Sequence, residues 1–373
     1  MRRTLVITND FPPRPGGIQQ FVHQIVERLP AQDVVVLTSR HEGDESFDAT
    51  LPYRVVRHPH YPMIPTPAVT RRAAALLREE SCEAVWFGAA APLALMTPSL
   101  RRAGAVRVVA STHGHEIGWA KLPGAASALR RISGRVDVLT YLTDHSRVAV
   151  GKVAAPGARL EQLSPGVDPE VFTPAVSGLA VRERYGLGSR PVVVCVSRLV
   201  RRKGQDTLIA LWPRVLEQAP DAALLIVSGG PYSARLEAMA GARGLDKSVF
   251  FTGQVDWDEL PQHYAAGDLF AMPCRTRRGG LDVEGLGIVF LEASASGLPV
   301  IAGRSGGAPD AVLDRRTGYV VDPRNHEEIA GRIVELLLDK VSARTMGVVG
   351  RAWAEREWGW DAMAGRLHRW LSE

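Results

Sequence analysis

Cysteine, lysine and aromatic residues are all scarce in this 373-residue chain. The three cysteines, Cys82, Cys195 and Cys274, lie far apart without the spacing of a zinc knuckle. So few thiols, and an odd number of them, suit a reducing compartment and exclude a disulfide framework. Each is read as a small core residue, the usual place for a free cysteine. Long apolar runs are missing too. The longest, Val85 to Met96, falls well short of the ~20 residues that span a bilayer. The stretch from Met1 through a short strand-like run to Asn9-Asp10 is too brief for a secretory leader, so a cytoplasmic location is expected. Aromatics make up 6% and are not interleaved with basic residues as a single-strand binder requires, so nucleic acid is not expected as a partner.

What is present is ordinary for a globular protein: 46% hydrophobic and 23% charged residues, enough chain for two domains. The net charge of +5 is uneven. Residues 1–170 carry 20 Lys and Arg against 16 Asp and Glu, an excess of four. Within 101–135, Arg101, Arg102, Arg107, Lys121, Arg130, Arg131 and Arg135 face a single acid, Glu116. Such a field is either a solvated face or an attractor for phosphate or anionic membrane.

Short apolar runs alternate with helical patterns, the signature of parallel βαβ units. Strands are expected at 4–8, 33–38, 53–57, 84–88, 106–111 and 137–142. The turn-rich stretch 164–190 interrupts the series, which restarts with strands near 191–197, 224–228, 249–253, 269–273, 299–302 and 319–321. This predicts an α/β fold of two doubly wound domains, 1–170 and 171–373, with ligand at the carboxyl ends of the strands in a cleft between them. Asp206 or Thr207 is expected to cap a helix. Helices are read at 326–338 and 342–371. The last segment (about 355–373) is expected to return to the first domain, fastened by Trp353, Trp358, Trp360 and Trp370.

Four stretches carry chemistry. Gly16-Gly17 stands where the first strand meets its helix and is either a plain turn or a place for an anion against backbone amides. No G-x-G-x-x-G is present, so the dinucleotide fingerprint is absent. Arg198-Leu199-Val200-Arg201-Arg202-Lys203-Gly204 offers a forked guanidinium and a point charge for a diphosphate, or is a solvated basic loop. Only five lysines stand against 40 arginines, which makes Lys203 notable. Glu284 and Glu292 are eight apart around Gly285-Leu286-Gly287, with a helix expected from about Ile288. Acceptor-only carboxylates suit sugar hydroxyls, and a helix start suits phosphate. A glycosidase acid and nucleophile would use the same residue types, but the glycine-rich phosphate-type setting does not suit a simple hydrolase. Ser111-Thr112-His113-Gly114-His115-Glu116 ends a strand. It has no third metal ligand nearby, so His113 and His115 are read as sugar-contacting or core histidines.

Together these stretches, with Gly166-Val167-Asp168, resemble glycosyltransferase family 4, retaining enzymes of the GT-B fold, nearly end to end. Asn9-Asp10-Phe11-Pro12-Pro13, Trp86 to Pro92, Ser111 to Glu116 and Gly279 to Gly287 are similar to the family's actinobacterial branch that uses GDP-mannose to make α-1,6 mannosides of phosphatidylinositol. Thr143-Asp144-His145-Ser146 and Arg201 depart from that branch's pattern. The resemblance implies two Rossmann-like domains facing a central cleft, a nucleotide-sugar donor, an anionic glycolipid acceptor at the inner face of the plasma membrane, and no metal or other cofactor. It implies that Arg198, Arg202 and Lys203, with amides near Gly16 and Gly17, hold the diphosphate. Glu284, Gly287 and Ile288 would hold the sugar, Glu292 the ribose and Val255 the base. His113 would shield the transferred sugar, helped by His115, and Asp10 would orient the acceptor. The basic 101–135 region, with Arg131 and Arg135 as i,i+4 helical neighbours, would meet lipid headgroups. A UDP-sugar or soluble acceptor, a basic binding protein without catalysis, and a GT-B epimerase are the other readings.

Overall fold

A computed structural model describes residues 1–114, 123–280 and 282–373. Contacts divide the chain into two compact units, Met1–Gly166 with Trp360–Glu373, and Val167–Gly359.

The first unit is built on β1 (Thr4–Ile7), β2 (Val34–Ser39), β3 (Arg54–His58), β4 (Ala84–Phe87), β5 (Arg107–Ser111), β6 (Val138–Tyr141) and β7 (Leu160–Gln162). They run parallel in the order β3-β2-β1-β4-β5-β6-β7, with Leu5 opposite both Val35 and Val85. β1, β2 and β4 are buried at every position, because helices cover both faces of a parallel sheet. The helix Gly17–Val26 buries Phe21, Val22, Ile25 and Val26. Thr66 caps the helix Pro67–Glu79, whose first residue is proline, where the missing N–H costs nothing.

The second unit holds β8 (Val192–Val196), β9 (Ala223–Val227), β10 (Val249–Phe251), β11 (Leu269–Met272), β12 (Val300–Gly303) and β13 (Gly318–Val321), parallel in the order β10-β9-β8-β11-β12-β13. Strand order reverses between β1 and β4 in one sheet and between β8 and β11 in the other. These are the switch points beyond which α/β sheets take ligands. All three cysteines are buried, and burial pushes the Cys195 thiol up to about 12.

The structure corrects the sequence reading in four places. β7 was not anticipated; its residues Leu160-Glu161-Gln162 are half-buried at a sheet edge and carry no apolar run. The single helix read over 342–371 is two, Lys340–Trp358 and Trp360–Ser372, because Gly359 takes an extended conformation. The second of these belongs to the first unit. There Asp361 pairs with Arg28 at 2.9 Å, and the Arg107 guanidinium donates to the Trp370 carbonyl at 2.7 Å. Neither Asp206 nor Thr207 caps the helix Gln205–Gln218; left-handed Gly204 precedes it, and Arg275 engages both side chains. Arg135 lies past the end of the helix Pro123–Ser133, so Arg131 and Arg135 are not helical neighbours.

Candidate active site

In the second unit, functional side chains gather at the carboxyl ends of β8, β11 and β12. The turn after β8 is clamped from beneath: Gln205 Nε2 donates to Ser197 Oγ at 2.8 Å and to the Arg198 carbonyl at 3.4 Å. Gly204 closes it at φ 84°, and a Cβ there would stand 2.2 Å from the Pro273 carbonyl oxygen. No other residue fits so close an approach. The turn thereby turns Lys203 inward and leaves Arg198 exposed. Lys203 Nζ lies 2.7 Å from Glu284 Oε2, and both side chains are nearly buried. Arg202 approaches the same oxygen at 3.8 Å and Asp282 at 3.7 Å. Arg198 makes no ion pair or side-chain hydrogen bond among the described residues.

Glu284 is fixed through its backbone. Its N–H donates to Ser305 Oγ at 3.3 Å, and its carbonyl accepts from the Gly307 N–H at 2.9 Å. A Cβ on Gly306 would sit 2.0 Å from that carbonyl oxygen, so the loop after β12 can press against it only as glycine. Gly287 and Ile288 open the helix Ile288–Ala295, whose first amides present the positive end of the helix dipole beside Glu284. Glu292 is about one turn further along this helix and buried. Its carboxylate accepts from the Tyr264 hydroxyl at 2.6 Å. Val255, after β10, is half-buried.

Burial pushes the Glu292 carboxyl up to about 7, against the opposing pull of the Tyr264 hydroxyl and the Lys203 charge. The folded protein therefore holds a proton that an unfolded glutamate has lost, between about 4.5 and about 7. The stability linked to this group is fully present below about 4.5 and is lost as pH rises through about 7. Thermal melts from about pH 5 to about pH 8 should show this decline, and Glu292→Gln should flatten it. Equal slopes in both proteins would assign the titration elsewhere.

In the first unit the ends of β1, β4 and β5 converge. Asp10 N–H donates to Thr8 Oγ1 at 2.9 Å, and its carboxylate accepts from Gln19 Nε2 at 2.7 Å. Gln19 belongs to the first turn of the helix Gly17–Val26, and Gly16 makes room for it: a Cβ on Gly16 would meet Gln19 Oε1 at 2.1 Å. A Cβ on Gly17 would meet only open space. The His113 Nε2–H donates to the Gly88 carbonyl at 2.5 Å, and Phe21 lies edge-on to its ring at 5.0 Å. His115 lies outside the described residues. Of the basic stretch, Arg101 is paired with Asp137 and Arg107 is bound to the last helix, whereas Arg130, Arg131 and Arg135 are exposed.

Sequence reasoning did not find Gln19, Gln205, Tyr264 or Ser305. Each holds another residue of the site, and none sits in a chemically distinctive pattern. Among the described residues no group of three or more His, Cys, Asp or Glu is placed to hold a metal.

The family profile "Glycosyltransferase Family 4" covers residues 15–171, and "Glycosyl transferases group 1" covers 180–353. The chain is 51% identical over its whole length to a Mycobacterium tuberculosis protein, 98% of which is covered. It is 52% identical over 99% of its length to a Mycolicibacterium smegmatis protein, again covering 98% of that relative. Both are named GDP-mannose-dependent alpha-(1-6)-phosphatidylinositol monomannoside mannosyltransferase. A Corynebacterium glutamicum relative, 46% identical over 98% of this chain and 97% of its own, is a GDP-mannose-dependent monoacylated alpha-(1-6)-phosphatidylinositol monomannoside mannosyltransferase. Among solved structures, Anabaena HepE in complex with UDP superposes with a TM-score of 0.79 over 99% of both chains at 19% identity. WaaG, a glycosyltransferase involved in lipopolysaccharide biosynthesis, does so with 0.65 over 99% of both at 18%. These two likenesses carry the fold alone: paired Rossmann-like units of the GT-B type. The chain belongs to glycosyltransferase family 4 and is a glycosyltransferase.

Proposed function

We propose that this enzyme transfers mannose from GDP-mannose to a phosphatidylinositol mannoside with retention, forming an α-1,6 linkage. The observation that carries this reading is 46–52% identity, over essentially the full chain, to relatives named for that reaction. In this account the second unit binds the donor. Arg198 and Lys203 take the diphosphate with Arg202 beside them, and Gly16 and Gly17 offer backbone amides. Glu284 accepts from mannose hydroxyls, and Gly287 and Ile288 supply amides. Glu292 accepts from the ribose, and Val255 packs near the base. His113 contacts the transferred sugar, His115 is a second sugar-binding histidine, and Asp10, held by Gln19, orients the acceptor hydroxyl. No metal takes part; the two cations neutralise the departing charge.

The bond from the anomeric carbon to the phosphate oxygen breaks as the acceptor oxygen bonds to the same face. The acceptor's proton passes to the departing phosphate oxygen. Preorganised cations aimed at a leaving group commonly contribute on the order of 3 kcal/mol each.

The test is incubation with labelled GDP-mannose or a labelled UDP-hexose and phosphatidylinositol monomannoside, with linkage analysis of the product. An α-1,6 dimannoside from GDP-mannose alone is expected. Preferred transfer from the UDP-hexose, or release of free or isomerised sugar, would overturn the assignment.

In this account the enzyme works at the cytoplasmic face of the plasma membrane as a peripheral protein. Among the described residues no helix is long and apolar enough to cross a membrane. Contact would run through the basic 101–135 region, above all the exposed Arg130, Arg131 and Arg135. Binding to phosphatidylinositol-containing vesicles should weaken as salt rises from about 0.05 to about 0.5 M, and Arg130→Ser/Arg131→Ser/Arg135→Ser should remove most of it. Sedimentation that ignores both salt and the substitutions would contradict this contact.

A further inference from the structure

Beside the diphosphate turn of the second unit is a cavity of about 540 Å³, of whose lining the donor account uses Arg202 alone. Its charged lining is Arg201, Arg202, Arg277, Arg278 and Asp282. Among the described residues Val200 and Pro231 are its only wholly apolar lining residues, which suits a polar ligand better than an acyl chain.

The cations are not cancelled locally. Asp282 is shared by Arg277 at 3.3 Å and Arg202 at 3.7 Å. Two further carboxylates are engaged elsewhere: Asp206 by both arms of Arg275, at 2.8 and 2.6 Å, and Glu284 by Lys203. Four guanidinium groups thus line a hollow whose one lining carboxylate among the described residues is Asp282, with Glu284 Oε2 also 3.8 Å from Arg202.

The hollow is also built rather than incidental. Tyr232 donates its hydroxyl to Asp206 at 3.3 Å, and its ring lies 5.5 Å from the Arg201 guanidinium. Its ring face thereby limits where that side chain can go. Arg277 and Asp282 close a tight turn through paired backbone hydrogen bonds of 2.8 and 3.2 Å. Within the turn Arg278 takes φ 51°, a left-handed conformation that is costly for a long side chain and is held where the surroundings over-determine it.

We propose that this pocket is a second anion site, for a phosphate mono- or diester, separate from the donor diphosphate. Forked guanidinium donors match phosphate oxygens in pairs; of the cations given to the donor only Arg202 reaches the lining, and neither Arg198 nor Lys203 does. The phosphate comes either from the glycolipid headgroup or from a soluble phosphorylated compound. The site itself does not depend on the mannosyltransferase reading; only its lipid source does.

The test uses Arg201→Ser/Arg278→Ser, two exposed positions outside the donor machinery, in protein kept saturated with GDP. Calorimetric titration with inorganic phosphate should give one site in the parent and at least a tenfold weaker one in the variant, with GDP affinity the same in both. Equal phosphate binding in the two proteins, or loss of phosphate binding by the parent once GDP is present, would overturn the site. KM values then identify the source. A tenfold rise for phosphatidylinositol monomannoside, with that for GDP-mannose unmoved, assigns the lipid phosphodiester. An unmoved lipid KM beside lost phosphate binding assigns the soluble compound. Absence of any mannosyl transfer by the parent would defeat the proposed reaction and leave the phosphate titration to judge the pocket.

Discussion

Arg198→Ala should lower turnover by about 10²–10³-fold and leave the melting temperature almost unchanged. The side chain is exposed and unpaired among the described residues. Truncating it strands no buried group, so stability should shift by less than about 0.5 kcal/mol. The whole loss then falls on the chemical step, where a guanidinium in a preorganised position offsets charge on the departing diphosphate. Steady-state kinetics beside thermal melts measure both quantities. A variant that retains near-parental turnover would remove Arg198 from the leaving-group site.

Lys203 and Glu284 should behave differently, because they neutralise one another out of water. At 2.7 Å and nearly buried, each shields the other's charge. Removing one partner leaves an uncompensated charge, a loss on the order of 3 kcal/mol. Lys203→Met and Glu284→Gln should therefore each lower both stability and turnover. The double substitution should regain most of the stability, since a buried ion pair is often replaceable by neutral groups of similar volume. It should regain no activity and remain at least about 10³-fold below the parent, because the diphosphate cation and the sugar acceptor are both gone. Chemical denaturation of the four proteins reads the coupling directly. Equal destabilisation by the singles and the double would show that the pair does not act as a unit. On the proposed reading donor binding parts these two groups, with phosphate and sugar hydroxyls taking over as their partners.

Much of the architecture could be read from residue order. Runs such as Val34-Val35-Val36-Leu37, Val192-Val193-Val194-Cys195 and Ala223-Leu224-Leu225-Ile226 are unbroken because both faces of a parallel strand are covered. Where that cause fails, so does the reading. Leu160-Glu161-Gln162 forms an edge strand without an apolar run. The change from helix to extended chain at Gly359 is one residue set between tryptophan-rich stripes that look continuous.

The site divides in the same way. Gly204, Gly287 and Glu284 stand out because backbone approach and carboxylate chemistry demand those residue types. The contact between Lys203 and Glu284 does not, since it joins residues 81 apart and depends on Ser305 and Gly306 to set the Glu284 backbone. Nor does the role of Tyr264, an ordinary core aromatic until Glu292 is found within 2.6 Å of its hydroxyl. Asp206 and Thr207 are both residue types that cap helices, but the bidentate contact of Arg275 with Asp206 is stronger than a single cap hydrogen bond.

The central claim is that Arg198 and Lys203, at the two ends of the turn after β8, grip the terminal phosphate of a nucleoside diphosphate. Parallel calorimetric titrations of the parent and Arg198→Ala with GDP and with GMP test it most directly. The parent should prefer GDP by about 10²-fold or more, and the variant should lose most of that preference while binding GMP as before. An undiminished preference for GDP in Arg198→Ala would contradict it.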